Sequence, residues 1–401
     1  MTKHRLTHAQ RDLDGAGRPR PATARRLARL AVALAAAACV PAACAIFPPI
    51  GDLPPDRIDL DWALPLYDLE VFAYHPLELG QPLFVRSAST PSAGLVVVPS
   101  KDRMVRGVDA ASGKVLWSLA TSGANVAQPV AVGEELVIAS TDGHVYRANQ
   151  RNGRATWTSE YPGKSVVAAP AVGGGRVFVT SIDNRITALE WDTGDRIWDK
   201  KRPHASEFTV TGQAGAVISG DDVITGFSDG QLIAFAAEDG ATVWSADLAA
   251  GKTEFVDIDT TPILVGNLVI ASSYRQGLYG IDAASGTVSW LLKGEAYGTP
   301  AELEGTLYVP QASGRILAVN AADGAVRWVA RVFSERARTP AVSSKYVIVP
   351  IGASLALMDR GSGRTLARYG DMFGVDATPE VAYGTAYVMG DSGTLYALGI
   401  Y

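Results

Sequence analysis

Cysteine is almost absent from this chain: among 401 residues only Cys39 and Cys44 carry a thiol, and both fall within the first 44. Residues 45–401 therefore have no disulfide framework and no thiolate metal site. Histidine is scarce too, with His4, His8, His75, His144 and His204 lying far apart. No His-Glu-x-x-His helix, Gly-x-Ser-x-Gly elbow or P-loop is present, nor a Gly-x-Gly-x-x-Gly in a strand–helix context. The sequence names no catalytic residue, no metal ligand and no cofactor. The apolar run Leu30 to Val40 is too short to span a bilayer stably. Basic charge is missing from the body. Residues 1–29 hold eight Lys/Arg and two Asp, a net +6 against the whole chain's −5, which leaves −11 for the remainder. So acidic a body lacks the basic footprint that nucleic-acid binding needs.

The basic leader ends in Arg25, Arg26 and Arg29. The apolar run follows, then Pro-Ala-Ala-Cys ending at Cys44. Basic region, short apolar region and small residues before a cleavage point form the layout of an export signal. Cys44, after Ala42 and Ala43, resembles the acylated cysteine of a bacterial lipobox, with Pro41 where an apolar residue is usual. Cys39, after four alanines, is the alternative, and Ala43-Cys44-Ala45 also fits a cleavage site without lipid. Ala45 rather than Asp after the cysteine fits outer-membrane retention. The residues around Arg25-Arg26 match a twin-arginine signal poorly. Residues 1–44 read as export signal and lipobox, and 45–58 as a Pro-rich extended tether. Residues 59–401 read as the folded body.

That body is a repeat. Gly113–Trp117, Gly153–Trp157, Gly194–Trp198, Gly240–Trp244, Gly286–Trp290 and Gly324–Trp328 share a Gly-x-x-x-Trp spacing, and Gly363 to Ala367 is a copy without the Trp. Pro129, Pro170, Pro262 and Pro300 each stand 28 residues before a Trp. Between the markers lie an apolar strand, a turn dipeptide such as Asp142-Gly143 or Asp229-Gly230, and an alternating strand such as VYRAN or LIAFA. No segment of the body has helical periodicity. Four short strands per unit of about 40 residues is the signature of a propeller blade. The last unit stops after its third strand, and Asp59-Leu60-Asp61-Trp62 is an orphan Trp strand that completes it. The expectation is an all-β, eight-bladed propeller closed by pairing of the N- and C-terminal strands, with no open edge at the seam. The repeated tryptophans read as blade packing, and the turn aspartates as turn formers.

The Gly-x-x-x-Trp repeat resembles the PQQ-type propeller repeat. The quinoprotein dehydrogenases share it, as do the BamB-type lipoproteins of the outer-membrane β-barrel assembly machinery. The second resemblance is closer and covers Trp62 to Tyr401, including the loss of Trp at Ala367. Asp257-Ile258-Asp259-Thr260-Thr261-Pro262 is similar to that family's Asp-Val-Asp-Thr-Thr-Pro, whose two acids dock on the POTRA domains of BamA. A second family patch, apolar-x-apolar-Arg-Gly, falls on Phe208-Thr209-Val210-Thr211-Gly212. Thr211 stands where the family has Arg, which removes a charge-assisted donor.

The resemblance implies a non-enzymatic scaffold without cofactor, lipid-anchored on the periplasmic face of the outer membrane. It would bind BamA through Phe208, Val210, Thr211, Asp257 and Asp259. Unpaired blade edges offer a second contact, to nascent outer-membrane β-barrel strands. From the residues alone, Asp257 and Asp259 equally read as local caps of a turn, and Arg275 either neutralises one of them or joins the surface. Two other readings keep the repeat. Thr211 favours a periplasmic propeller that binds another protein or a cell-wall component. A quinoprotein dehydrogenase needs a quinone clamp, usually an adjacent Cys pair, and a body without cysteine does not supply it.

Overall fold

Gly and Asx turns cut the body into thirty-two short strands, with no helix among the described residues. The computed structural model describes residues 58–67, 78–86, 94–160, 164–203, 214–251, 256–332, 337–370 and 374–401. All lie in the unit that runs from Pro54 to Tyr401. The strands form eight four-stranded antiparallel sheets, seven of them sequential meanders. We number the blades along the chain: blade 1 (83–120), blade 2 (130–158), blade 3 (171–201), blade 4 (216–247), blade 5 (263–293), blade 6 (301–331), blade 7 (341–369) and blade 8 (380–400 with 58–65). First strands of neighbouring blades touch one another, so they line the centre and the Trp-bearing fourth strands form the rim.

The expected eight-bladed architecture is what the chain adopts. Its core is eight layers, one between each pair of blades. Phe178, Ile186 and Trp198 of blade 3, for example, pack on Val223, Ile233 and Phe235 of blade 4. Second and third strands are sandwiched on both faces, which explains apolar runs such as Val96-Val97-Val98, each fully buried.

Each Gly-x-x-x-Trp pair works across blades. The Trp62 indole N–H donates to the Ala110 carbonyl in the turn between the third and fourth strands of blade 1. Trp117, Trp157, Trp198, Trp244, Trp290 and Trp328 repeat the bond to the following blade at 2.8–3.1 Å. The turn's glycine makes room. At Gly153, Gly194, Gly286, Gly324 and Gly363 a Cβ would lie 2.3–2.6 Å from the preceding blade's indole, and all have φ near +70°.

Blade 8 closes the ring. Ile58–Pro65 pairs antiparallel with Thr394–Ile400, with Ile58 opposite Ile400 and Leu64 opposite Leu395. Its third and fourth strands come from distant parts of the chain, so no turn joins them. The junction that lacks this turn is the one where Ala367 replaces the tryptophan. There the Tyr346 hydroxyl donates to the Tyr401 carbonyl at 2.8 Å.

Candidate functional site

Antiparallel order sorts the loops onto two faces. Hairpins between second and third strands share one face, here called upper, with the links from one blade's rim to the next blade's centre. The motif Asp257–Pro262 lies in such a link, between the fourth strand of blade 4 and the first of blade 5. The partner patch Phe208, Val210 and Thr211 lies outside the described residues, as do Cys39 and Cys44. The described ends of its segment, Pro203 and Ala214, belong to the preceding link, between blades 3 and 4.

Alternation makes the motif a rigid ledge. Val256 and Ile258 are 2% exposed and point into the core. The Ile258 N–H donates to the Phe227 carbonyl at 3.2 Å, and its side chain occupies the space where a Cβ on Gly226 would sit. Ser273 Oγ donates to the Val256 carbonyl at 3.3 Å. Thr260 Oγ1 shares a 2.7 Å hydrogen bond with Ser272 Oγ, which also donates to the Tyr297 carbonyl. Thr261 Oγ1 accepts from the Gly215 N–H at 3.1 Å. One six-residue segment thus ties blades 4 and 5 together, and Ser272 carries the chain of bonds on to the link before blade 6.

The two acids differ. Asp257 is 3% exposed and packed into the ledge, whereas Asp259 is half-buried at the surface. Of the two carboxylates, Asp259 is the one that reaches solvent. Asp257 is a framework residue, and its carbonyl accepts from the Tyr274 N–H at 3.3 Å. Arg275 is exposed in the next hairpin.

Asp259 stands between two cavities. A cleft of about 270 Å³ opens beside it, lined also by Tyr274, Thr299, Pro310, Ala312 and Arg338. The central channel, about 520 Å³, lies on its other side. Residues directly before the repeat prolines line this channel: Gln81, Gln128, Ala169, Thr261, Thr299, Thr339 and Thr378. A pre-proline residue is held extended, so in seven of the eight blades, all but blade 4, the repeat sets one such residue on the axis. Glu380 also lines the channel and bridges the seam. It accepts from the Phe84 N–H of blade 1 and from Gln128 Nε2 of blade 2, both at 3.3 Å. Burial raises its pKa, although these two bonds oppose the shift.

Sequence reasoning missed a second polar cluster, where the chain passes from blade 8 to blade 1. Glu78 is fully buried. Its carboxylate accepts from the Tyr67 hydroxyl at 2.6 Å and from the Gly80 and Lys101 N–H groups at 2.9 and 3.1 Å. Its own N–H donates to Asp391 Oδ1 at 3.3 Å. Burial, then repulsion from Asp376, raises Asp391 to about 6, while Arg338 pairs with Asp376. Glu78 and Asp391 stand 313 residues apart, so no local pattern could join them. The pre-proline ring, by contrast, was readable from the proline markers.

Among the described residues no group of His, Cys, Asp or Glu is placed to hold a metal ion. Comparison with known proteins then adds a family. The sequence pattern of "Outer membrane protein assembly factor BamB" matches residues 84–165, 101–330 and 292–400. The chain is 26% identical over 310 residues to the factor of that name from Shewanella oneidensis, covering 72% of this chain and 78% of the relative. It is 24% identical over 321 residues to that from Yersinia pestis, covering 75% and 81%. The crystal structure of BamB from Moraxella catarrhalis superimposes with a TM-score of 0.70 at 18% identity, over 86% of this chain and all of that one. A quinohemoprotein alcohol dehydrogenase from Comamonas testosteroni superimposes at 0.65 with 13% identity, over 86% of this chain and 76% of the enzyme, a likeness of fold alone.

Proposed function

Since the chain belongs to the BamB family of outer-membrane protein assembly factors, we propose that it is a non-catalytic scaffold subunit of the β-barrel assembly machinery at the outer membrane. It docks on the POTRA domains of BamA through the upper face around Asp259. The observation that carries this reading is the ledge 256–261. It presents Asp259 on a backbone tied to blades 4 and 5, so little conformational entropy is lost on binding. Phe208, Val210 and Thr211 extend the surface on the neighbouring link. Residues 1–44 direct export, a lipid on Cys44 (with Cys39 as alternative) holds the chain on the periplasmic face, and residues 45–58 form the tether. Nascent barrel strands meet the open blade rims.

Photo-cross-linking in cells tests the docking face. A photoreactive residue at the exposed Arg275 position, beside Asp259, is expected to capture BamA. The same probe at Glu302, in the blade 6 hairpin on the lower face, is not. Capture from Glu302 alone contradicts the assignment. Capture of another protein from Arg275 supports the periplasmic propeller with a different partner, the reading that Thr211 in place of the family Arg favours. Fatty-acid labelling lost in Cys44→Ala and kept in Cys39→Ala verifies the anchor.

A further inference from the structure

The pre-proline residues make the central channel polar along one arc. Blades 5, 6, 7 and 8 contribute Thr261, Thr299, Thr339 and Thr378, and blades 1 and 2 contribute Gln81 and Gln128, whereas blade 3 offers Ala169 there. At about 520 Å³ the channel falls within the range of small-ligand pockets. The Thr261 oxygen accepts from the Gly215 N–H. The hydroxyls of Thr299, Thr339 and Thr378 have no hydrogen-bond partner among the described residues. Both amide hydrogens of Gln128 are spent, on the Pro82 carbonyl at 2.8 Å and on Glu380 at 3.3 Å, which leaves its oxygen to accept.

Glu380 gives this arc its sign. Its carboxylate accepts from two neutral donors, the Phe84 N–H and Gln128 Nε2. Among the described residues no Lys, Arg or His lines the channel. Burial raises the Glu380 pKa, and no cation opposes the shift. Asp259 also borders the channel but is engaged in an interaction of its own, so Glu380 is the acid left without a counter-charge. A buried acid of that kind in a cavity marks a candidate binding site. Carboxylate, amide and hydroxyl oxygens suit an ammonium, and the threonine hydroxyls, which both donate and accept, match hydroxyls on a ligand. Among the described residues no aromatic ring lines the channel, so a flat ligand finds no stacking face. We propose that the central channel binds a small primary amine that carries several hydroxyl groups, an open-chain amino alcohol, with its ammonium on Glu380 and its hydroxyls along the threonine arc. This site stands apart from the docking face and does not depend on it.

Saturation-transfer NMR titration of the mature chain tests the proposal with two probes. D-glucamine is an open-chain polyol amine, and sorbitol is its uncharged counterpart with a hydroxyl in place of the ammonium. Glucamine is expected to bind saturably and at least tenfold more tightly than sorbitol. Glu380→Gln is isosteric and is expected to weaken glucamine by about tenfold or more, the order of one charge-assisted hydrogen bond, and to bring it level with sorbitol. Thr339→Val removes one hydroxyl of the arc and is expected to cost about threefold for both probes. Ala169→Leu narrows the channel from blade 3 without touching Glu380, is expected to abolish binding, and serves if Glu380→Gln lowers the melting temperature. Equal affinity of the parent for glucamine and sorbitol overturns the assignment of the ammonium to Glu380. No saturable binding of glucamine to the folded parent, or binding unchanged in both Glu380→Gln and Ala169→Leu, overturns the channel site altogether.

Discussion

Asp391 shows how one residue couples the ring to pH. Folded, it keeps its proton to about pH 6, against 3.8 for the free carboxyl, because it is buried and faces Asp376. Between those values the folded chain binds more protons than the unfolded one, so stability falls as pH rises through the window. The whole penalty is present at pH 7. Asp391→Asn removes the charge and keeps an acceptor for the Glu78 N–H. It is expected to stabilise the chain by about 1–2 kcal/mol at pH 7, after discounting for partial solvent screening, and by nothing near pH 4. Urea titrations at both values check this, and equal stability at pH 7 contradicts it. The opposite case is Asp102. Burial works against its charge, but Arg106 and Ser100 hold its carboxyl below the usual range, so its contribution is lost only as pH falls through that lowered value. At this scale the sequence was half legible. Asp259 stood out by its motif. The burial of Asp257 did not, because the segment is held in place by Phe227, which bonds Ile258, and Tyr274, which bonds Asp257, and local pattern does not bring these together.

The Trp–turn lock is the unit at the scale of elements. Trp244 is 8% exposed, and its indole bonds the Ala283 carbonyl while lying against Gly286. Trp244→Ala is expected to cost about 3–5 kcal/mol. Gly286→Ala costs less but is still destabilising, since φ is +72° and the new methyl meets the indole. Denaturant midpoints of the two variants test that order. Ala367→Trp is expected to gain nothing, because blade 8 has no turn carbonyl for it to reach. Tyr346→Phe is expected to cost about 0.5–1.5 kcal/mol as the Tyr401 bond is lost. If Ala367→Trp stabilises the ring as much as Trp244→Ala destabilises it, the lock is misread. The repeat made strands, turns and blade number legible because a fixed period is a strong signal. The partner of each Trp was not, since the carbonyl it reaches lies 31–48 residues away on the next blade.

For the whole molecule, closure and docking are linked through rigidity. Pairing of Ile58–Pro65 with Thr394–Ile400 covers the edge that blade 8 would otherwise expose. Deleting residues 58–65 is expected to give oligomers by size-exclusion chromatography, whereas a monomer of unchanged stability would deny the strand its closing role. The orphan Trp62 strand made this seam legible in advance. The Glu78 cluster and the Glu380 bridge that also hold it were hidden, because their contacts cross from one end of the folded unit to the other. A closed ring presents Asp259 and its neighbours in one fixed arrangement, and on that the proposed scaffold role depends. Calorimetric titration of the soluble body, residues 45–401, with the POTRA region of BamA is therefore the most direct measurement. The account predicts saturable one-to-one binding that weakens as salt rises and is lost in Asp259→Lys. A folded propeller that shows no heat of binding at moderate salt would contradict it.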